Sequence, residues 1–288
     1  MITRIFNGKI YFNKMIFKLL KNTHDFNASY NKSPVLSIIV IGNLFSTNIY
    51  IKNKIIACIK TNIKILTFKF SKTIHIKSIE SIIHVLNTNT SIHSILIQLP
   101  LPKKTNKNLI FNIINPEKDI DMLNAKNFAT FILNHKPTLY SCTSHAVLTL
   151  LKLININIKG LNIIIFGFSN IIGKPLLFDL FKSGATVTSI NKYDKNLKLL
   201  LKTADIIIVA IGSINFLYQT NISHGTIIID IGINNLNNKT LTGDIKIKNF
   251  LNKSKYITPV PGGIGMLTII SLLSNVINSA TSYERDKK

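Results

Sequence analysis

Residues 161–184 read LNIIIFGFSNIIGKPLLFDLFKSG. An isoleucine-rich run ends at Gly167, a short loop carries Ser169 and Asn170, Gly173 follows, and an amphipathic helical pattern begins near Pro175 and stops at Ser183-Gly184. A near-continuous apolar run marks a strand buried on both faces. Proline belongs in the first turn of a helix and glycine just past its last. The segment therefore predicts strand, turn and helix, with the helix N-terminus and its backbone N–H groups at the strand's carboxyl end. That place suits a phosphate. The spacing here is GxSxxxG, not GxGxxG, and plain packing of helix on strand satisfies it as well as nucleotide binding does.

The same alternation continues in both directions. LSIIVIG (36–42), ILTFKF (65–70) and SILIQLP (94–100) read as strands, with the helical patterns NIYIKNKIIACIK and IKSIESIIHVLN between them. Downstream come ATVTSI (185–190), ADIIIVAIG (204–212) and GTIIIDIGIN (225–234). Apolar strands alternating with helices predict parallel or mixed sheets covered by helices. Two α/β domains are expected, 1–121 and 122–266, with a cleft between them as the default ligand site. KIYFNKMIFKLLKN, after the Asn7-Gly8 turn, has amphipathic helical spacing. The last helix, 267–288, is expected to pack back on the first domain.

The 288 residues are 46% hydrophobic and carry a net charge of +23. The charge alone suggests nucleic acid, but Arg4 and Arg285 are the only arginines; the rest of the basic residues are lysines, in excess together with Ile and Asn. That skew is what an A+T-rich genome encodes. With no arginine-rich arm, zinc-finger spacing or aromatic RNA-binding signature, no nucleic-acid partner is expected. Cys58 and Cys142 form neither a CxxC nor a disulfide framework, which fits a reducing cytoplasm. Lys9, Lys14, Lys18 and Lys21 interrupt the apolar N-terminus, so neither a signal peptide nor a membrane association is expected.

Candidate chemistry gathers at a few places. Tyr50 and Lys54 stand four apart in NIYIKNK and share a face if the segment is helical; amphipathic surface decoration has the same spacing. Gln98 ends a strand inside QLPLP, where two prolines stop the sheet. Asp119 and Asp121 in PEKDIDML are two of only twelve acids, and helix capping is the alternative to catalysis. After ATVTSI the acid that would bind an NAD ribose is missing, and Lys192 favours the 2′-phosphate of NADP. TPVPGGIGMLT (258–268) concentrates two prolines and three glycines in a shaped loop.

YIKNK, IQLPLP, PEKDID, GFSNIIGKP, ADIIIVAIG, IIDIGIN, LTGD and TPVPGGIGMLT, in this order, resemble the bifunctional methylenetetrahydrofolate dehydrogenase/methenyltetrahydrofolate cyclohydrolase family, over nearly the whole chain. The resemblance implies two α/β domains, the second a Rossmann-like NAD(P)-binding domain. It implies oxidation of 5,10-methylenetetrahydrofolate with NADP, NAD being the alternative, then hydrolysis to 10-formyltetrahydrofolate, by a cytoplasmic homodimer of one-carbon metabolism supplying purine synthesis. Lys54, Tyr50, Gln98 and Asp121 become catalytic residues. Tyr50, Gln98, Asp121, Pro261, Gly262 and Gly263 would touch the folate, and Gly167, Phe168, Ser169, Gly173, Lys192 and Ile233 the cofactor. No metal is implied. Departures from the family pattern are Met122 where glycine is usual, Phe168 for arginine, Asn191-Lys192 for His-Ser, Met266 for proline, and SCTSHAV for PCTPxG.

Overall fold

The computed structural model of the chain describes residues 2–102, 105–133, 139–191, 193–217, 222–236 and 240–287. In chain order they form β1 (Arg4–Ile5), α1 (Gly8–Tyr30), β2 (Val35–Ile41), α2 (Phe45–Lys60), β3 (Lys64–Phe70), α3 (Ile76–Thr88), β4 (Ser94–Gln98), α4 (Lys107–Ile113), α5 (Ala125–Leu133) and α6 (Cys142–Leu153). There follow β5 (Asn162–Phe166), α7 (Gly173–Lys182), β6 (Thr186–Ile190), α8 (Leu197–Thr203), β7 (Ile206–Val209), β8 (Ile227–Asp230), β9 (Asn234–Leu236), β10 (Thr240–Thr242), β11 (Tyr256–Ile257) and α9 (Ile264–Arg285). The chain divides into two compact units, Asn13–Cys142 with Ile269–Lys288, and Met1–Phe12 with Thr143–Thr268.

The first of these is built on a parallel sheet in the order β3-β2-β4. Its central strand buries Leu36, Ile38 and Ile39 completely. From α3, Ile79, Ile83 and Leu86 recur at helical spacing and enter the same core as Ile39, Ile95 and Ile97. Beyond β4 the chain returns alongside the strand: the Ile95 N–H donates to Lys118 O at 2.7 Å, and Ile95 bridges Asp119 in parallel. That register carries Asp121 toward the strand's carboxyl end, where Gln98 stands.

The second unit holds a six-stranded sheet in the order β1-β11-β8-β7-β5-β6, parallel at every pairing. β7 and β8 are buried throughout, as their unbroken isoleucine runs require. Phe166, Ile207, Val209, Ile228, Phe250 and Ile257 form its core. β9 and β10 make a separate antiparallel hairpin.

This division differs from a cut at 121/122 at two places. Residues 122–142 group with the β3-β2-β4 sheet, because Asp119 and Asn124 cap and tether α5 there. Residues 1–12 group with the six-stranded sheet: β1 pairs with β11, the Thr3 hydroxyl donates to Ser254 O at 2.7 Å, and the Gly8 N–H to Gly262 O at 2.8 Å. A two-residue strand has no periodicity to announce it. α7 begins at Gly173, two residues before Pro175. Among the described residues α9 is long and apolar enough to cross a membrane, yet 67% of its most apolar window is buried within the fold. It is a core helix.

Candidate active site

Tyr50, Lys54 and Cys58 follow one another at four-residue intervals on α2, so one face presents all three. The Lys54 Nζ donates to Gln98 Oε1 at 2.9 Å. Gln98 turns its amide N–H to Leu99 O at 2.9 Å, which leaves the amide oxygen facing the lysine. A neutral acceptor holds the amine without adding an opposing charge. Burial pushes the Lys54 pKa down, and Asp121 pulls it back up. The Asp121 carboxyl is itself raised by burial, with Lys54 lowering it. Burial pushes the Cys58 thiol up to about 12 and raises Cys142 well above its ordinary value. Both thiols are therefore neutral near pH 7, which leaves Asp121 as the charge that Lys54 senses. Tyr50, half-buried, is pushed up to about 12 by burial and stays a phenol. A lysine whose ammonium is destabilised can exchange protons nearer neutrality.

The two acids of KDID have separate tasks. Asp119, 1% exposed, accepts from the Leu123 N–H (3.2 Å), the Asn124 N–H (2.8 Å) and Asn127 Nδ2 (3.0 Å), which caps the entry to α5. Asp121 accepts from the backbone N–H and thiol of Cys142 and lies in the field of Lys54. Lys118 of the same motif is fully buried and gives its three protons to Leu86 O, Asn87 O and Asn89 O at 2.7–2.9 Å, closing the C-terminus of α3. Directly after Asp121 stands Met122 with φ +56°, a left-handed conformation of the kind glycine adopts without strain.

In the other unit the turn after β5 has the features expected of a phosphate site. Gly167 has φ +105°, and a Cβ on it would collide with Ala210 O; a Cβ on Gly173 would collide with Gly167 O. The start of α7 can thus lie directly against the strand end. The Ser169 hydroxyl accepts from the Ile172 N–H at 3.1 Å, shaping the loop. Phe168 is exposed, with the Lys174 ammonium 5.4 Å from its ring centroid. Ile233, also exposed, follows β8, and Lys192 lies outside the described residues. A turn of this kind, open at a helix N-terminus, fits a dinucleotide's phosphates.

IIDIGIN and LTGD interlock behind these loops. Asp230 accepts from the N–H groups of Gly232 (2.9 Å), Asp244 (3.1 Å) and Ile245 (2.9 Å). Asp244 accepts from those of Ile211 (2.8 Å), Gly212 (3.0 Å) and Ser213 (2.9 Å), and from Asn234 Nδ2 (2.8 Å). Each acid occupies the space a Cβ would need on the other motif's glycine, Asp244 at Gly232 and Asp230 at Gly243. Thr258 joins them, its hydroxyl accepting from the Asp230 N–H at 2.7 Å. Pro261, Gly262 and Gly263 follow directly, Gly262 at φ +99°, and lead into α9. Nothing in the sequence singles out Asp230 and Asp244 within IIDIGIN and LTGD, since most of their partners are backbone N–H groups that no residue type announces.

A doubly wound sheet with a glycine turn, carried on the same chain as a half-buried lysine, glutamine and aspartate set, defines the class: a two-domain α/β enzyme that uses a dinucleotide. Residues 6–121 match the family model of the tetrahydrofolate dehydrogenase/cyclohydrolase catalytic domain, and residues 141–284 that of its NAD(P)-binding domain. The chain is 44% identical over 251 residues to the bifunctional protein FolD of Buchnera aphidicola subsp. Cinara cedri, covering 86% of this chain and 88% of that one. The FolD of Streptococcus uberis is 35% identical and is covered to 98% by 97% of this chain. Among solved structures, the bifunctional FolD of Campylobacter jejuni superposes with a TM-score of 0.91 at 35% identity, over 97% of this chain and 99% of that one. The Trypanosoma brucei enzyme, complexed with NADP and an inhibitor, superposes at 0.93 with 25% identity, over 98% of each chain. The chain belongs to the tetrahydrofolate dehydrogenase/cyclohydrolase family.

Proposed function

We infer that the chain oxidises 5,10-methylenetetrahydrofolate to 5,10-methenyltetrahydrofolate and hydrolyses that product to 10-formyltetrahydrofolate. NADP, when bound, supplies the hydride acceptor; the Gly167 turn, Phe168, Ser169, Gly173, Lys192 and Ile233 would hold it. The observation that carries the reading is the Lys54–Gln98 hydrogen bond beside Asp121 on a chain of this family. Hydrolysis adds water to the cationic methenyl carbon, releases one proton from that water, delivers one to the departing ring nitrogen, and frees the remaining hydroxyl proton to solvent as the formyl C=O forms, so that one proton is released overall. Lys54 in its amine form takes the first and, as ammonium, returns the second. Gln98 fixes the Nζ position, Asp121 holds the pterin ring, and Tyr50 lies against it. Pro261, Gly262 and Gly263 contribute to the folate site. The unit of Asn13–Cys142 with Ile269–Lys288 would supply the lysine-bearing part of the folate site, and that of Met1–Phe12 with Thr143–Thr268 the cofactor-binding part. A cytoplasmic homodimer without nucleic-acid or membrane partners completes the reading. Weak, non-specific binding to DNA is expected despite the charge, and tight binding with a steep salt dependence would point to the nucleic-acid alternative.

Lys54→Met tests the assignment, because it keeps the apolar stem and removes the amine. Cyclohydrolase activity should fall on the order of 10²-fold or more, while hydride transfer, which moves no proton through this group, continues and methenyltetrahydrofolate accumulates. Hydrolysis at the wild-type rate would remove Lys54 from the chemistry. For the cofactor, Lys192→Ala should raise KM for NADP and leave that for NAD unchanged; an equal loss with both would place the lysine away from the 2′-phosphate.

A further inference from the structure

We propose that Asn275 on α9 is a positioning residue that sets where the Asp121 carboxylate stands relative to Lys54; the proposal rests on the roles given to those two residues above. Asn275 is 2% exposed. Its Nδ2 carries two hydrogens and gives them to Ile120 O at 2.8 Å and Tyr140 O at 2.7 Å, with Cys142 Sγ at 3.6 Å. Ile120 immediately precedes Asp121, and Tyr140 lies two residues before Cys142. Cys142 in turn donates its N–H and thiol to Asp121 and also reaches Ile120 O. The result is a closed ring: Asn275 ties both chain segments, and their ends meet at the Asp121 carboxylate. Among the described residues no cation forms an ion pair with Asp121, so its place depends on this ring. A neutral amide is suited to the task, because it satisfies two buried carbonyls without bringing a second charge beside Lys54.

α9 also provides an internal comparison. Ser279, one turn further on, shares its single hydroxyl proton between His93 O at 2.8 Å and Glu117 O at 2.9 Å, fastening the same helix to the same loop four residues before Asp121. A merely structural role predicts that losing either residue has the same consequences. A positioning role predicts that only Asn275 reaches the chemistry.

Asn275→Leu removes both donors and keeps the branched shape of the side chain, Asn275→Ser retains one, and Ser279→Ala is the comparison; all are measured in the full chain beside Lys54→Met. For Asn275→Leu we expect kcat/KM for the folate substrates to fall on the order of 10²-fold, the size of effect that about 1 Å of misplacement produces, with KM for NADP unchanged. The acid limb of the hydrolysis pH profile should move to lower pH, because a displaced carboxylate supports the Lys54 ammonium less. Asn275→Ser should show the same shift in smaller measure, which keeps the test open if the leucine variant does not fold. Ser279→Ala should keep the wild-type profile. A wild-type profile for both Asn275 variants, or the same shift for Ser279→Ala, overturns the proposal. If Lys54→Met abolishes hydrolysis while the Asn275 variants behave as wild type, only the Asn275 assignment falls; if Lys54→Met hydrolyses normally, the reading of the site falls with it.

Discussion

Asp119 and Asp121 show what one residue can hide. Their closeness in KDID points to a site, with helix capping as the alternative, and the fold gives one role to each: the first caps α5, the second lies in the field of Lys54. Which is which depends on backbone direction after a β-bridge at Ile95, and no residue type announces that. Asp179 offers a cleaner test of burial because it lies outside this cluster. It is a buried residue of α7 that accepts from the Ser144 hydroxyl, and burial raises its pKa to about 6 despite that bond and nearby Lys182. The folded state then binds a proton that the unfolded state has lost between about pH 4 and 6. Its contribution to stability is fully present below the unfolded pKa and disappears as pH rises through about 6. Asp179→Asn cannot titrate and can still accept from Ser144. Relative to wild type it should therefore gain on the order of 2–3 kcal/mol between pH 4 and 7, read as diverging denaturant midpoints. Parallel curves would mean that Asp179 ionises normally in the fold.

At the scale of elements, strands and helices were legible because isoleucine runs and helical spacing report burial directly, as in β5, β7 and α3. The terminations were less so. The end of α3 is closed by Lys118, thirty residues downstream of Thr88, through three carbonyls that no local pattern connects to it. Lys118→Met takes the ammonium from the Leu86 and Asn87 carbonyls at about 1–3 kcal/mol each, while Asn89 O keeps the Ile92 N–H at 3.2 Å, so a loss of a few kcal/mol is expected in chemical denaturation. A near-neutral outcome would mean that water reaches the helix end. Met122 sets two effects against each other. Its left-handed backbone costs about 1–2 kcal/mol relative to glycine, while truncating a buried methionine, here 4% exposed, costs about 2–5 kcal/mol. Burial wins, so Met122→Gly should lower the melting temperature even though it restores the usual family residue. A rise would show that backbone strain dominates at this turn.

For the whole molecule, the order of the chain matters more than its composition. The alternation of apolar strands with helical patterns made the two-part α/β architecture legible, but neither compact unit is a continuous piece: one recruits residues 1–12 and the other 269–288. A fragment ending at Cys142 would lack Asn275, Ser279 and Glu284, and with them the bonds to Ile120, Tyr140, Glu117, His93 and Lys32. It would also lack Ile269, Ile270, Leu272, Leu273, Val276 and Ile277, all buried. At about 1.5–3 kcal/mol for each side chain, an upper bound because the unfolded chain is not fully extended, their burial is worth on the order of 10 kcal/mol. That is as large as the entire stability of an ordinary domain, about 5–15 kcal/mol. The fragment 1–142 should consequently show no cooperative thermal transition and should bind a hydrophobic dye, despite containing every strand of the β3-β2-β4 sheet. Adding a peptide of residues 264–288 in excess should restore a transition whose midpoint rises with peptide concentration, since a ligand that binds only the folded form stabilises it by mass action. A cooperative transition of 1–142 alone at the full-length temperature would show that the helix is an accessory to that unit rather than part of its core.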